Sequence, residues 1–243
     1  LVDLSQVMIA TLMVQLGQAK PTEKVTVDQD LLRHMILNVI RANRMKFKDK
    51  YGEIVICSDD KKYWRRDIFP HYKASRKKMR EASGHDWATI FECLGKIKQE
   101  LKDYSPYKVI DVDTAEADDI IAVLAMKYSA TQKVMILSSD KDFAQLQKFP
   151  NVEQYSPILK KFIKEPLPAA QLKQLIIRGD KGDGIPNILS PDNCFVDSIR
   201  QKPITEAKII TWMNQQPSEF CNDEMLRNYN RNEMLIDLSK IPD

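Results

Sequence analysis

The sequence predicts an α/β fold built on a central, mostly parallel sheet. Two observations carry that prediction. Four short apolar runs alternate with helical stretches, and each run ends on acidic residues. Strands separated by helices pair in parallel through right-handed crossovers. At 243 residues, with 43% hydrophobic and 29% charged residues, the chain suits one large α/β domain or a domain plus a lobe, and not a disordered or fibrous protein. No apolar run approaches the roughly 18 residues of a membrane span. The longest candidate, Val7 to Val14, is interrupted by Thr11 and reads as a buried helix.

The first run, Leu1-Val2-Asp3, reads as the tail of a strand; with neither initiator Met nor signal peptide, further residues are expected upstream. A helical pattern follows from Gln6 to Leu16, then a polar loop to about Asp28. The helix expected from Leu31 to Ala42 places Leu32, Met35, Ile36, Val39 and Ile40 on one face. Three more strands are expected at Ile54-Val55-Ile56-Cys57, Val109-Ile110-Asp111-Val112 and Val134-Met135-Ile136-Leu137, with helices at about 86–104 and 116–128 and another begun near Pro168. This organisation implies a catalytic core over 1–165, including a basic segment at 60–84, and a helical lobe over 166–243.

The strand ends carry the chemistry. Val2 runs into Asp3, the second run into Ser58-Asp59, and the third past Asp113 into Glu116-Ala117-Asp118-Asp119. The fourth ends Ser138-Ser139-Asp140-Lys141-Asp142, and Gly179-Asp180-Lys181-Gly182-Asp183 follows later. In an open parallel sheet the carboxyl ends share one edge, where sites form. Singly, these acids have ordinary readings: Glu116 and Asp118 as helix-dipole and capping residues, the others as turn residues. Together, nine carboxylates (Asp3, Asp59, Glu116, Asp118, Asp119, Asp140, Asp142, Asp180, Asp183) would repel one another strongly at one edge. Divalent cations remove that repulsion, and an all-oxygen set selects hard ions, Mg²⁺ or Mn²⁺. Two such ions about 4 Å apart suit phosphodiester cleavage. Seven glycines leave no glycine-rich dinucleotide or Walker loop, and there is no zinc signature and no Gly-x-Ser-x-Gly elbow. The four cysteines form no Cys-x-x-Cys pair, which points to free thiols in a reducing compartment.

Charge is segregated. Residues 61–80 hold nine Lys or Arg against Asp67 alone, in a chain whose net charge is only +3. Tyr63-Trp64-Arg65-Arg66 and Pro70-His71-Tyr72-Lys73, followed by Arg76, Lys77, Lys78 and Arg80, interleave rings with cations, a pattern that suits phosphates and unpaired bases. The plain reading of such a window is a solvated helix face. A metal cluster and a basic window explain each other, because a polyanion must be drawn past repelling carboxylates.

In their order, Asp59, Tyr63-Trp64-Arg65-Arg66, Tyr72-Lys73-x-x-Arg76, Glu116-Ala117-Asp118-Asp119, Ser139-Asp140-x-Asp142-Phe143 and Gly179-Asp180-x-x-Asp183-x-Ile185-Pro186 resemble the motifs of the 5′-nuclease (flap endonuclease) family, within it the phage-encoded ribonuclease H branch that clears lagging-strand RNA primers. The resemblance runs from Asp3 to about Ile188. It implies a PIN-like core, a basic arch, and a helical lobe with a helix–turn–helix. It also implies Mg²⁺-dependent 5′→3′ exonuclease, flap-endonuclease and ribonuclease H activity on RNA/DNA hybrids and on duplex DNA with a 5′ end or flap. By resemblance, Asp59, Glu116, Asp118 and Asp140 serve a first metal; Asp142, Asp180 and Asp183 lean toward a second; Asp3 and Asp119 place metal-bound waters. Lys73 and Arg76 would touch the scissile phosphate, with Tyr72 a stacking platform for the terminal base. The family also implies a monomer acting in the cytoplasm of an infected bacterial host, with a single-stranded DNA-binding protein and a sliding clamp as partners. Two departures stand out: Asn187-Ile188-Leu189-Ser190-Pro191 replaces the family's glycine-rich, potassium-binding turn, and Ile241-Pro242-Asp243 ends the chain where phage relatives carry more sequence. Two rivals remain. A metal-dependent phosphatase of the haloacid dehalogenase type would need Asp-x-Asp where Asp3-Leu4-Ser5 stands, and a degenerate, non-catalytic nucleic-acid binder would gain nothing from nine carboxylates.

Overall fold

The structure is a computed structural model that describes residues 1–17 and 27–242. The polar loop expected after Leu16 therefore lies mostly outside the described residues, although Asp28 is described. The chain divides into two compact units, one of Leu1–Lys61 with Gly84–Lys164 and one of Lys62–Ser83 with Glu165–Asp243. The basic segment thus groups with the C-terminal residues.

The first unit is built on six strands: β1 (Val2–Asp3), β2 (Val55–Cys57), β3 (Lys108–Ile110), β4 (Val134–Leu137), β5 (Val152–Ser156) and β6 (Lys161–Ile163), in the order β3-β2-β1-β4-β5-β6. All neighbours are parallel except β6, which runs antiparallel along β5. The mostly parallel α/β sheet read from the sequence is the one observed. β5 and β6 were not expected, and β3 stops at Ile110, leaving Val112 exposed.

β1 is only two residues long, yet it is central. Val2 lies beside Ile56 on one side and Leu137 on the other. Helix α1 (Leu4–Gly17) begins at once, α2 spans Gln29–Tyr51 and α5 spans Trp87–Tyr104. Their apolar faces meet the sheet in one core in which Leu4, Leu12, Leu32, Ile36, Ile40, Ile56 and Ile97 are almost wholly buried, each contributing about 1.5–3 kcal/mol. Asp28 caps α2 by accepting from the Leu31 N–H at 3.0 Å. That helix runs nine residues past the expected Ala42. Its charged last turns read as polar in the sequence, but Phe47 keeps the buried face going until Gly52, at φ 79, ends it. Helix α6 (Ala117–Tyr128) packs on β1, β2 and β4 with Ile120, Ile121 and Ala125 buried.

The second unit is helical: α3 (Arg65–Ile68), α4 (Ser75–Ala82), α7 (Pro168–Arg178), α8 (Glu206–Met213), α9 (Pro217–Phe220) and α10 (Asp223–Ile236). Phe69, Tyr72, Ile176, Ile177, Ile185, Ile188, Ile209 and Tyr229 form its core. Between α7 and α8 the chain makes turns, and α10 secures them through buried polar side chains. Asn232 donates to the carbonyls of Ile176 and Pro186, Arg231 to Pro186, and Asn228 to Ile188. Where a helix–turn–helix would place its second helix, Asn187 accepts instead from the Leu189 N–H and the Ser190 hydroxyl. No described helix is long and apolar enough to cross a membrane. The four cysteines are free thiols; burial pushes Cys57 up to about 12, which keeps it unreactive.

Candidate active site

At the carboxyl edge of the sheet, β1, β2 and β4 present Asp3, Asp59 and Asp140. Asp3 is buried, and its carboxyl is pushed up to about 6 by that burial and then by the charges of Asp59 and Asp140, against hydrogen bonds from the Gln6 N–H (3.0 Å) and the Ser138 hydroxyl (3.3 Å). Three chain-distant carboxylates therefore share one field. Asp59 accepts from the Ser5 hydroxyl at 2.5 Å and from the Ala117 N–H at 2.6 Å, so it faces the first turn of α6, where orphan N–H groups favour an anion.

Glu116 and Asp119 form a reciprocal capping box at that helix start, and both are buried; the Glu116 N–H donates to Asp119 at 2.9 Å. Their ordinary capping reading is therefore correct as far as it goes. Asp118 lies half-buried in the first turn. Asp140 accepts from the Asp142 N–H at 3.0 Å and so starts the 3-10 helix Lys141–Lys148. Among the described residues, no three His, Cys, Asp or Glu side chains already stand as a ready set of metal ligands. The contacts above supply the reason: these carboxylates are turned onto hydroxyls and N–H groups. The donor set nevertheless fits a hard divalent cation, because it is all oxygen and because a cation would offset both the burial of Asp3 and its repulsion by Asp59 and Asp140.

Two side chains that sequence reasoning missed hold this edge. Gln154, fully buried in β5, donates to the carbonyls of Ser138 (3.0 Å) and Asp140 (2.6 Å). Lys98 in α5 donates to the Asp59 carbonyl at 2.9 Å and lies 3.3 Å from Asp111. A glutamine in a five-residue strand carries no pattern that marks such a role.

In the second unit, Asp180 accepts from the Gly182 N–H at 2.7 Å and its backbone bridges to Ile185. Asp183 is engaged by the basic segment: Arg76 at 2.6 Å, the Tyr72 hydroxyl at 3.1 Å and the Lys73 ammonium at 3.7 Å. Lys73 has φ 56, and its N–H donates to the Asp183 carbonyl at 2.8 Å.

Two expectations for this segment need correction. Tyr72 is 3% exposed, packed edge-on against Tyr63, so its ring is not open to stack on a base. Arg65 is also buried; it donates to the Leu235 carbonyl and lies over the Trp64 ring, a structural role and not a phosphate contact. Arg66, Lys77 and Lys78 are exposed as a nucleic-acid surface requires; Tyr63, Lys73, Arg76 and Arg80 are partly covered.

Comparisons with known proteins identify the family and the fold. Residues 18–174 match the family described as 5'-3' exonuclease, N-terminal resolvase-like domain. The chain is 37% identical over 254 aligned positions to the ribonuclease H of Enterobacteria phage T4, covering 100% of this chain and 82% of that protein. It is 31% identical over 145 positions to the flap endonuclease Xni of Shewanella sp. (strain ANA-3), covering 55% of this chain and 51% of that protein, so it spans about half of that relative. Its fold matches a T5 protein co-crystallised with metal ions at a TM-score of 0.68 and 16% identity, over 98% of this chain and 88% of the other. Sheet order, acidic strand ends and full-length identity converge: the chain belongs to the 5′-3′ exonuclease and flap endonuclease family of nucleases.

Proposed function

We propose that the chain is a Mg²⁺-dependent 5′→3′ exonuclease and flap endonuclease with ribonuclease H activity, acting on RNA/DNA hybrids and on duplex DNA with a 5′ end or flap. The observation that carries the reading is the shared field of Asp3, Asp59 and Asp140, with Asp3 pushed up to about 6. A carboxyl that burial first and like charge second push upward is one that a bound cation would stabilise in its ionised form. Two bound Mg²⁺ ions would activate water and neutralise the leaving oxygen. Asp59, Glu116, Asp118 and Asp140 would hold one ion or its waters, Asp142, Asp180 and Asp183 would lean toward the other, and Asp3 and Asp119 would orient water. Lys73 and Arg76 would stabilise charge developing on the phosphate. Attack by water forms one P–O bond as one ester P–O bond breaks, and the leaving oxygen takes a proton. No covalent enzyme intermediate is needed.

The relatives support this reading. One is a ribonuclease H and another a flap endonuclease, and a bacteriophage T5 flap endonuclease of the same fold, at a TM-score of 0.65, is known in complex with DNA and metal ions. The reading carries with it the cytoplasm of an infected bacterium as the place of action, supported by the phage source of the full-length relative. Resemblance alone supports a monomer and the single-stranded DNA-binding protein and sliding clamp as partners.

The test is a 5′-labelled flapped duplex incubated with Mg²⁺ or chelator, beside Asp140→Asn. Short 5′ products that need Mg²⁺, and a turnover at least about a thousandfold lower in Asp140→Asn (~4 kcal/mol) with duplex binding kept, are expected. Turnover at the wild-type level in Asp140→Asn would remove the metal assignment; tight binding without cleavage by any form would favour a degenerate binder.

A further inference from the structure

We propose that Gln154 is a positioning residue for Asp140, its carboxamide setting the loop after β4 so that the Asp140 carboxylate is aimed before any ion or substrate binds; the inference rests on the nuclease reading above. Gln154 lies wholly buried within β5, paired with Ile136 of β4. Apolar residues usually fill such positions, because a buried carboxamide is costly unless its hydrogen bonds are made. Here they are made on either side of one residue. Nε2 donates to the carbonyls of Ser138 at 3.0 Å and Asp140 at 2.6 Å, and Oε1 accepts from Gln147 at 3.1 Å. The amide has one workable orientation, since a flipped one would set Oε1 against two carbonyl oxygens. It thereby ties to β5 both the loop that leads into Asp140 and the 3-10 helix that Asp140 starts.

The rest of the loop is held in the same way, by side chains. Ser156, two residues along the same face of β5 and also buried, shares a hydroxyl hydrogen bond of 2.5 Å with Ser139. Gln6 of α1 accepts from the Ser139 N–H at 2.5 Å. The Ser138 hydroxyl accepts from the Asp140 N–H at 3.1 Å and donates to Asp3. Asp140 sits at φ −67 and ψ 132 with its N–H and its carbonyl both tied, so the direction of its Cα–Cβ bond is set. The Asp142 N–H, 3.0 Å from Oδ1, then holds the carboxylate itself. A ligand ordered beforehand by its supporting contacts spares a bound ion the entropy of ordering it. Gln154 touches none of the reacting groups; it acts through Asp140.

The experiment compares wild type with Gln154→Met, which keeps length and removes both donors, and Gln154→Glu, which keeps shape and sets an oxygen against the two carbonyls. Ile97→Val, in the core under α5, serves as a destabilised control. Folding of each is first checked by circular dichroism. In the metal-free protein, hydrogen exchange at the Asp140 and Asp142 amides, read by NMR, should quicken about tenfold or more in both Gln154 variants, while the Ile121 and Ala122 amides of α6 stay within about twofold. Mn²⁺ should bind these variants about fivefold more weakly or worse, with unchanged stoichiometry. On the flapped duplex, kcat should fall about tenfold or more while KM stays within about twofold. Ile97→Val should keep all three readings within about twofold of wild type. Unchanged exchange at Asp140 and Asp142, or a quickening shared evenly with α6, would overturn the proposal in favour of a packing role. Wild-type Mn²⁺ affinity in both variants, or a change confined to KM, would overturn it too. If wild type itself does not cleave, the nuclease reading fails, and the exchange and Mn²⁺ results still decide this one.

Discussion

Lys73 combines two features at one position: an ammonium 3.7 Å from Asp183 at its side-chain end, and a left-handed turn, at φ 56, in its backbone. These features separate by substitution. Lys73→Ala is expected to lower turnover far more than duplex affinity, read from kcat and from binding without metal; a pure affinity loss would demote it to a backbone contact. Lys73→Gly is expected to be more stable than Lys73→Ala by about 1 kcal/mol in urea denaturation, because glycine takes positive φ without the Cβ clash. The gathering of Asp3, Asp59 and Asp140 was legible in the sequence because each stands at or just past the end of a parallel strand. Arg65 and Tyr72 were not. Composition assigns a basic, aromatic stretch to a ligand surface, but it cannot say which cation turns inward to the Leu235 carbonyl or which ring fills a core.

At the scale of elements, the end of α7 is fixed by steric exclusion. Gly179 has φ 68, and a Cβ there would lie 2.3 Å from the Ile185 carbonyl oxygen and 2.5 Å from that of Pro186. Gly179→Ala is therefore expected to cost about 3 kcal/mol or more, seen as a lower urea midpoint; a cost under about 1 kcal/mol would mean that the turn relaxes freely. Asp192 ties α10 to the turns before α8 through Arg227 and Arg231. Burial pushes its carboxyl up, but the Arg227 hydrogen bond and the Arg231 charge outweigh that and hold it below the usual carboxylate value. Its stabilisation is thus present above the unfolded value of about 3.9 and is lost as pH falls through the lower folded one. Asp192→Asn should be less stable by about 1–3 kcal/mol at pH 7, with the gap to wild type narrowing as pH falls past the unfolded carboxylate value; a gap that does not change with pH would rule out the ion pair as its source. β1 to β4 were readable as apolar runs. β5 and β6 were not: Val-Glu-Gln-Tyr-Ser and Lys-Phe-Ile lack a clean alternation, because Gln154 points inward to bind loop carbonyls and β6 is an edge strand. The helices α3 and α4 were hidden by charge, since their window offers no apolar period.

Across the whole molecule, a net charge of +3 conceals a basic window in a chain whose remainder is acidic. Affinity for a flapped duplex should therefore fall steeply with salt, with a logarithmic slope of about −0.9 per phosphate neutralised. Replacing the exposed Lys77 and Lys78 by Ala should shallow that slope by about one each while weakening all duplex sequences alike. An unchanged slope in a salt titration would place the phosphate contacts elsewhere. That the acidic strand ends gather at one edge was legible from topology alone, since parallel strands allow no other arrangement. The detailed engagement of each carboxylate was not, because it depends on hydroxyls and N–H groups that sequence spacing does not locate.

The central strand pairing also sets when activity can appear. Asp3 and the Ser138 hydroxyl that contacts it are 135 residues apart in sequence, and β1 is a two-residue strand that waits for Leu137 on one side. Closing a loop of that length costs about 4 kcal/mol of chain entropy before any contact compensates. Local helices can form early; the carboxylate trio cannot. A growing polypeptide thus assembles the carboxylate trio only after most of its first unit has been synthesised and has condensed.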